Sequence, residues 1–173
     1  MAVYYLKIFL FSSLLSLFLT YIVKFFALKL SVVDNPNLDR KIHSKVTPLL
    51  GGLAVFLACF ICLYFLREKL LLGNLTNGHW LGVFVGACFL MIGGFLDDKY
   101  HLKPSQQIIW PALAALAVII GGVQIEKITN PFGGFLYLQY FSAVLIFVWL
   151  MGMMYTTKLL DGIDGLVTSI TTV

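Results

Sequence analysis

Five long apolar segments constrain the fold of this chain more than any other feature of its sequence. They cover approximately residues 3–30, 49–66, 80–96, 108–123 and 138–155, and polar or helix-breaking residues separate them. About 20 residues of α-helix cross the hydrocarbon core of a bilayer. Only 12% of the residues are charged, whereas a soluble domain has about a quarter. The sequence therefore predicts an all-α, polytopic integral membrane protein, a bundle of about five transmembrane helices with a sixth beginning after Gly165.

The distribution of lysine and arginine predicts how these helices are oriented. Successive connections alternate between the two sides of the membrane, so the first, third and fifth share one side. Eight of the twelve basic residues lie on that side, and connections rich in lysine and arginine face the cytoplasm. We therefore expect a multi-pass protein of the cell membrane with these three connections inside. The net charge of +4 fits anionic lipids or substrates, and it does not by itself indicate a nucleic-acid partner.

Acidic residues are concentrated on the same predicted side. Six of the eight lie there, two of them as the pair in "FLDDKYHLKP" and two in "LLDGIDG". Clustered carboxylates beside glycines that let a phosphate approach are typical of Mg²⁺ held jointly by protein and substrate. The simpler interpretation is that each pair is a solvated helix end. We expect both pairs to border one cytoplasmic cleft; its four carboxylates are Asp97, Asp98, Asp161 and Asp164.

The first cytoplasmic connection, "VVDNPNLDRKIHSKVTPLLGGLAVF", combines basic residues with a proline and glycine turn. Arg40, Lys41, His43 and Lys45 are candidates for binding lipid headgroups or nucleotide phosphates, because basic residues near a membrane surface attract anions. Ordinary orientation anchors are the alternative, and a lone histidine such as His43 is more often a surface or packing residue. On the opposite side, the alternating stretch "GGVQIEKITNPFGGFLYLQY" predicts a short β-hairpin.

Three cytoplasmic stretches together resemble the polyprenyl-phosphate N-acetylhexosamine-1-phosphate transferases, a group within glycosyl transferase family 4. They are "DNPNLDRKIHSKVTPLLGG", "GGFLDDKYHLKP" and "LLDGIDGL", in this order and on one side of the membrane. The "RKIH" and "PLLGG" forms are more similar to the undecaprenyl-phosphate N-acetylglucosamine branch than to the phospho-N-acetylmuramoyl-pentapeptide branch. The resemblance covers almost the whole chain and implies the N-terminal half of a transferase with about ten helices.

The resemblance implies transfer of a sugar-1-phosphate from a UDP-sugar to a polyprenyl phosphate, with release of UMP. Asp97 and Asp98 match the catalytic aspartate pair near the lipid phosphate. Asp161 and Asp164 match the acidic motif of the nucleotide and metal site, with Mg²⁺ as the cofactor and Mn²⁺ as the alternative ion. The implied partners are the UDP-sugar, the lipid and the membrane, and a homodimer is left open. The implied substrate-binding residues are Arg40, Lys41, His43, Lys45, Lys158 and Asp164.

This chain departs from the family pattern at several positions. The family places two asparagines before the first aspartate of the second motif, where this chain has Tyr155 and Lys158. The family's lysine and glutamine after its aspartate pair correspond to Gln107 and Pro111. An ammonium group cannot ligate a metal, so Lys158 is expected either to meet a substrate phosphate or to anchor the helix at the headgroups. Relatives are also about twice as long, and this chain alone is expected to be inactive.

Other classes of membrane protein fit the pattern less well. A transporter keeps ionisable residues near the middle of its spans or in broken helices, whereas these carboxylates lie at span ends. A purely structural membrane protein would need no paired carboxylates. A CDP-alcohol phosphotransferase carries further, more widely spaced aspartates in its single motif, and these are missing from this sequence.

Overall fold

The fold is known from a computed structural model, which describes residues 2–30, 33–34, 47–48, 50–70, 75–131, 133–160 and residue 169. Six helices and two small antiparallel hairpins are described. In chain order the elements are α1 (Ala2–Lys29), β1 (Val33–Asp34), β2 (Thr47–Pro48), α2 (Gly51–Leu70), α3 (Asn77–Tyr100), α4 (Pro104–Gln107), α5 (Ile109–Ile120), β3 (Lys127–Thr129), β4 (Phe135–Tyr137) and α6 (Phe141–Leu160).

The helices confirm the expected all-α, polytopic membrane architecture. Three of them are long and apolar enough to cross a bilayer, over Tyr5–Lys29, Asn77–Tyr100 and Phe141–Leu160, and two apolar helices are shorter. Large apolar side chains such as Phe18 and Trp149 are more than 60% exposed, as expected for side chains that face lipid. The predicted sixth segment lies outside the described residues, apart from Ser169. The single turn α4 was not predicted, because a proline followed by three polar residues carries no helical periodicity.

The chain divides into two compact units. The first comprises residues 1–75 and 91–103 and contains α1, α2 and the end of α3. Its core is formed by Val23, Ala27, Leu50 and Ala54, and Phe95 of α3 packs against this cluster. Ala27 and Ala54 are fully buried, because small side chains let two membrane helices approach closely.

The second unit comprises residues 76–90 and 104–173. A row of three glycines on α3 packs against α5 and its end. Gly78, Gly82 and Gly86 are spaced four residues apart and therefore lie on one helix face. A Cβ atom at Gly82 would lie 2.8 Å from both the carbonyl oxygen of Ala117 and the Cα atom of Gly121, and one at Gly86 would lie 2.9 Å from the carbonyl oxygen of Ala114. The backbones of α3 and α5 are therefore too close for any larger residue.

His79 joins the beginning of α3 to the end of α5. The Thr76 hydroxyl accepts a hydrogen bond from the His79 backbone N–H (3.4 Å), and Nδ1 of His79 accepts one from the Thr76 N–H (3.2 Å), as in a capping box. Since Nδ1 accepts, Nε2 carries the proton and donates to the Gly122 carbonyl oxygen at 2.9 Å. Gly122, at φ +94°, is the left-handed residue that ends α5.

The predicted hairpin between the fourth and fifth segments is confirmed. Strands β3 and β4 pair with Lys127 opposite Tyr137, Ile128 opposite Leu136 and Thr129 opposite Phe135. The turn contains Gly133 and Gly134 at φ +109° and +80°, values that favour glycine because it has no Cβ atom.

Candidate functional site

Asp97 and Asp98 occupy the last turn of α3 and are half-buried. The helix ends at Tyr100. The next residue, His101, adopts a left-handed conformation (φ 51°), and its backbone N–H donates to the Asp97 carbonyl oxygen at 2.8 Å. The helix thus continues past the apolar segment that ends at Leu96, and it carries both carboxylates on its final turn. Both aspartates are therefore fixed to a rigid membrane-spanning element.

The position of this pair is electrostatically unfavourable for the helix alone. The C-terminal end of a helix carries a partial negative charge, which favours cations and disfavours carboxylates. Neighbouring residues on a helix also point about 100° apart, so the two carboxylates can face different groups. The ammonium group of Lys99 lies 5.8 Å from the centre of the Phe95 ring and 5.5 Å from that of Tyr100. A cationic ligand beside the pair would compensate the helix end.

The stem of the basic loop lies at the same end of the first unit. Strands β1 and β2 pair Val33 with Pro48 and Asp34 with Thr47, which brings the two ends of the loop together. Leu50, two residues after this stem, and Phe95, two residues before Asp97, belong to the same packed cluster. The structure therefore places the stem and the aspartate pair near one another; the loop candidates Arg40, Lys41, His43 and Lys45 lie outside the described residues.

Lys158 lies in the last turn of α6, in the second unit, and is exposed. Its ammonium group donates to the side-chain oxygen of Gln107, the last residue of α4, at 2.7 Å. The hydroxyl groups of Thr156 and Thr157 bond instead to carbonyl oxygens of their own helix, at 2.8 Å each. No local sequence pattern predicts this contact, because 51 residues separate its partners.

The predicted metal ligands Asp161 and Asp164 lie outside the described residues. Within the part of the chain that is described, no three His, Cys, Asp or Glu side chains lie together as potential metal ligands. The half-buried carboxylates of Asp97 and Asp98 nevertheless suit a hard divalent cation, which prefers oxygen ligands.

Comparison with known proteins identifies the family. The model of glycosyl transferase family 4 matches residues 80–173. The chain is 31% identical to a probable undecaprenyl-phosphate N-acetylglucosaminyl 1-phosphate transferase of Bacillus subtilis, over 91% of this chain and 42% of that protein. It is 28% identical to the undecaprenyl-phosphate alpha-N-acetylglucosaminyl 1-phosphate transferase of Yersinia pestis, over 88% and 40%.

A third relative belongs to the pentapeptide branch. The phospho-N-acetylmuramoyl-pentapeptide-transferase of Latilactobacillus sakei is 30% identical over 73% of this chain and 43% of its own length. No solved structure matches. The chain spans about two fifths of the length of these curated relatives. With its family model matched over more than half of its residues, the chain belongs to glycosyl transferase family 4.

Proposed function

We propose that the full-length protein containing this chain transfers N-acetylglucosamine-1-phosphate from a UDP-sugar to undecaprenyl phosphate and releases UMP. An oxygen of the lipid phosphate attacks the β-phosphorus of the UDP-sugar. The bond from that phosphorus to the bridging oxygen breaks, and UMP leaves with the bond's electron pair. The observation that carries the proposal is the aspartate pair on the last turn of α3, beside the stem of a basic loop.

In this proposal Asp97 and Asp98 position the lipid phosphate, and either can accept its proton. Two carboxylates at the negative end of a helix do not stabilise the helix dipole, and their charge suits a role in the reaction. Arg40, Lys41, His43 and Lys45 bind phosphate oxygens from the loop that β1 and β2 close. Phosphoryl transfer depends mainly on such positioning and charge stabilisation.

The family uses a divalent metal ion, and we assign its ligands to Asp161 and Asp164, with Mg²⁺ as the ion and Mn²⁺ as the alternative. When bound, the ion would neutralise negative charge on the diphosphate. Lys158 contributes a second positive charge at the substrate.

The hydrogen bond between Lys158 and Gln107 supports this role for the lysine. In the family pattern a lysine corresponds to Gln107 and an asparagine to Lys158. This chain has the amide and the ammonium group exchanged between two positions whose side chains touch at 2.7 Å. We therefore propose that the site keeps its cation but carries it on α6 instead of α4. Gln107 holds that cation in place.

The surrounding protein is proposed to be a transferase of about ten helices, in which residues 1–173 form the N-terminal membrane domain. Its site would face the cytoplasm, where UDP-sugars are made, and it would lie in the cell membrane with its polyprenyl substrate. Peptidoglycan, lipopolysaccharide or another surface polysaccharide would use the product. Homodimer formation is a separate expectation.

Assay of the purified full-length protein in detergent tests the proposal. UDP-N-acetylglucosamine and undecaprenyl phosphate should together yield UMP in the presence of Mg²⁺, and omitting the lipid or chelating the metal should abolish it. UDP-N-acetylmuramoyl-pentapeptide is the second donor to test, because a relative of the pentapeptide branch is 30% identical. Turnover of the pentapeptide alone would replace the proposed donor, and turnover of neither would contradict the transferase assignment.

A further inference from the structure

The β3–β4 hairpin is a small element with almost nothing to bury it. All six residues of its two strands are exposed. An isolated two-stranded hairpin is at best marginally stable in water. Yet Phe135, Leu136 and Tyr137 on β4 are exposed by 56%, 54% and 72%. These apolar side chains would therefore be more stable in a less polar environment than water.

The hairpin is fixed at the beginning of a membrane-spanning helix. The backbone N–H of Ile125, just before β3, donates to the hydroxyl oxygen of Ser142 at 2.8 Å. Ser142 is in the first turn of α6 and only 5% exposed. The Leu138 N–H donates to the Glu126 carbonyl oxygen at 3.1 Å and closes the base of the hairpin. This base is therefore attached to the Phe141 end of α6, a helix that is long and apolar enough to cross a membrane.

The side chains of the hairpin have the composition of a membrane interface. The strand register puts Phe135 and Tyr137 on one face together with Lys127, whose ammonium group lies 4.7 Å from the centre of the Phe135 ring. Tyr140 and Phe141, at the start of α6, are 92% and 75% exposed. Aromatic rings concentrate at the headgroup level of bilayers, and a lysine can extend its charge from there to phosphate groups.

We propose that the β3–β4 hairpin is an interfacial membrane anchor, seated in the phospholipid headgroup layer at the Phe141 end of α6. Phe141 lies on the same face of α6 as Val144 and Val148, which are 60% and 62% exposed, so exposed apolar side chains continue from the hairpin along this helix. Lipid is therefore the occupant that this surface favours. The anchor does not depend on the transferase activity, and its test requires no substrate.

Spin labelling of the full-length protein in phosphatidylcholine–phosphatidylglycerol vesicles tests the anchor. A nitroxide is attached to Tyr137→Cys in a variant whose Cys59, Cys62 and Cys88 are replaced by alanine. Its accessibility to oxygen and to a water-soluble nickel chelate is measured. Val144→Cys provides the hydrocarbon reference and a free nitroxide in buffer the aqueous one. The ratio of oxygen to nickel accessibility at residue 137 should lie between the two references and clearly above the aqueous value.

A second measurement keeps the native cysteines, in case the alanine background does not fold. Tyr137→Trp should increase the fraction of tryptophan fluorescence that lipids brominated near the headgroup quench, relative to the unsubstituted protein. An aqueous ratio at residue 137, or no added quenching, would overturn the proposal. Low accessibility to both oxygen and nickel would also overturn it, because the residue would then be covered by protein, such as a second copy of the chain.

Discussion

At the scale of single residues, Asp97 and Asp98 occupy the last turn of α3, where the helix dipole disfavours carboxylates. A cation would suit the end of α3, because the backbone there carries partial negative charge. Replacing either carboxylate by an amide should therefore remove its unfavourable interaction with the end of the helix. The same replacement removes a charge that the proposed reaction uses.

We expect Asp97→Asn or Asp98→Asn in the full-length protein to lower the rate of UMP release by about 10²-fold or more, the range for loss of a catalytic acid or base. The thermal unfolding temperature should change much less than the turnover does. Glu126→Gln is the matched control, an exposed carboxylate at the base of the hairpin, and should affect neither measurement. Normal turnover in both aspartate variants would refute their assigned roles.

The pair formed by Lys158 and Gln107 leads to a second prediction at this scale. If the lysine contacts the diphosphate, Lys158→Met should weaken binding of the UDP-sugar by about 1.5–3 kcal/mol, the range for a hydrogen bond to a charged group. The exchange Gln107→Lys with Lys158→Asn returns the cation to the position of the family pattern, and it should recover most of that loss. Calorimetric titration of the full-length variants measures both effects.

The alternative role for Lys158 is that of an anchor at the lipid headgroups. In that case Lys158→Met should bind the UDP-sugar as well as the parent protein does, and the exchanged pair should give no recovery. Lys99→Met is a suitable control, because it removes a lysine from the last turn of another membrane-spanning helix.

At the scale of secondary-structure elements, the close approach of α3 and α5 depends on glycine. Gly82→Ala would place a methyl group 2.8 Å from backbone atoms of α5, and backbone cannot move aside as a flexible side chain can. We expect a loss of about 1–3 kcal/mol in unfolding free energy, the usual cost of overpacking. Unfolding in detergent, followed by circular dichroism, measures it.

The same helix supplies the control. Gly94 is in α3 as well, and a Cβ atom there would meet nothing within 4 Å. Gly94→Ala should therefore stabilise the protein by up to about 1 kcal/mol, because alanine is the better helix former. Equal effects of the two substitutions would mean that helix propensity, and not packing against α5, governs this row of glycines.

The sequence predicts some of these elements and contacts, and not others. Apolar length alone locates the five apolar helices, and three of them reach the length that a bilayer requires of a span. Alternation and a Gly-Gly turn predict the hairpin. By contrast, the partner of Gly82 and the contact between Gln107 and Lys158 depend on tertiary packing between distant segments. No local pattern encodes these contacts, and the packing of α3 on α5 became visible only in the structure.

At the scale of the whole molecule, the proposed function requires one orientation in the membrane. A UDP-sugar is charged and is made inside the cell, so Asp97 and the basic loop must face the cytoplasm. The count of lysine and arginine favours that orientation. The connections on either side of α5 offer a direct test, because Ser105 in α4 and Gln124 before β3 are both exposed and should lie on opposite sides.

We expect a membrane-impermeant maleimide to label Gln124→Cys in intact cells that express the full-length protein. It should label Ser105→Cys only after permeabilisation. The parent protein is the control for Cys59, Cys62 and Cys88, which lie within the apolar helices α2 and α3. The reversed pattern would place the aspartate pair outside the cell, away from its nucleotide donor, and would refute the proposed function. Labelling of both positions in intact cells would instead contradict a membrane-spanning α5.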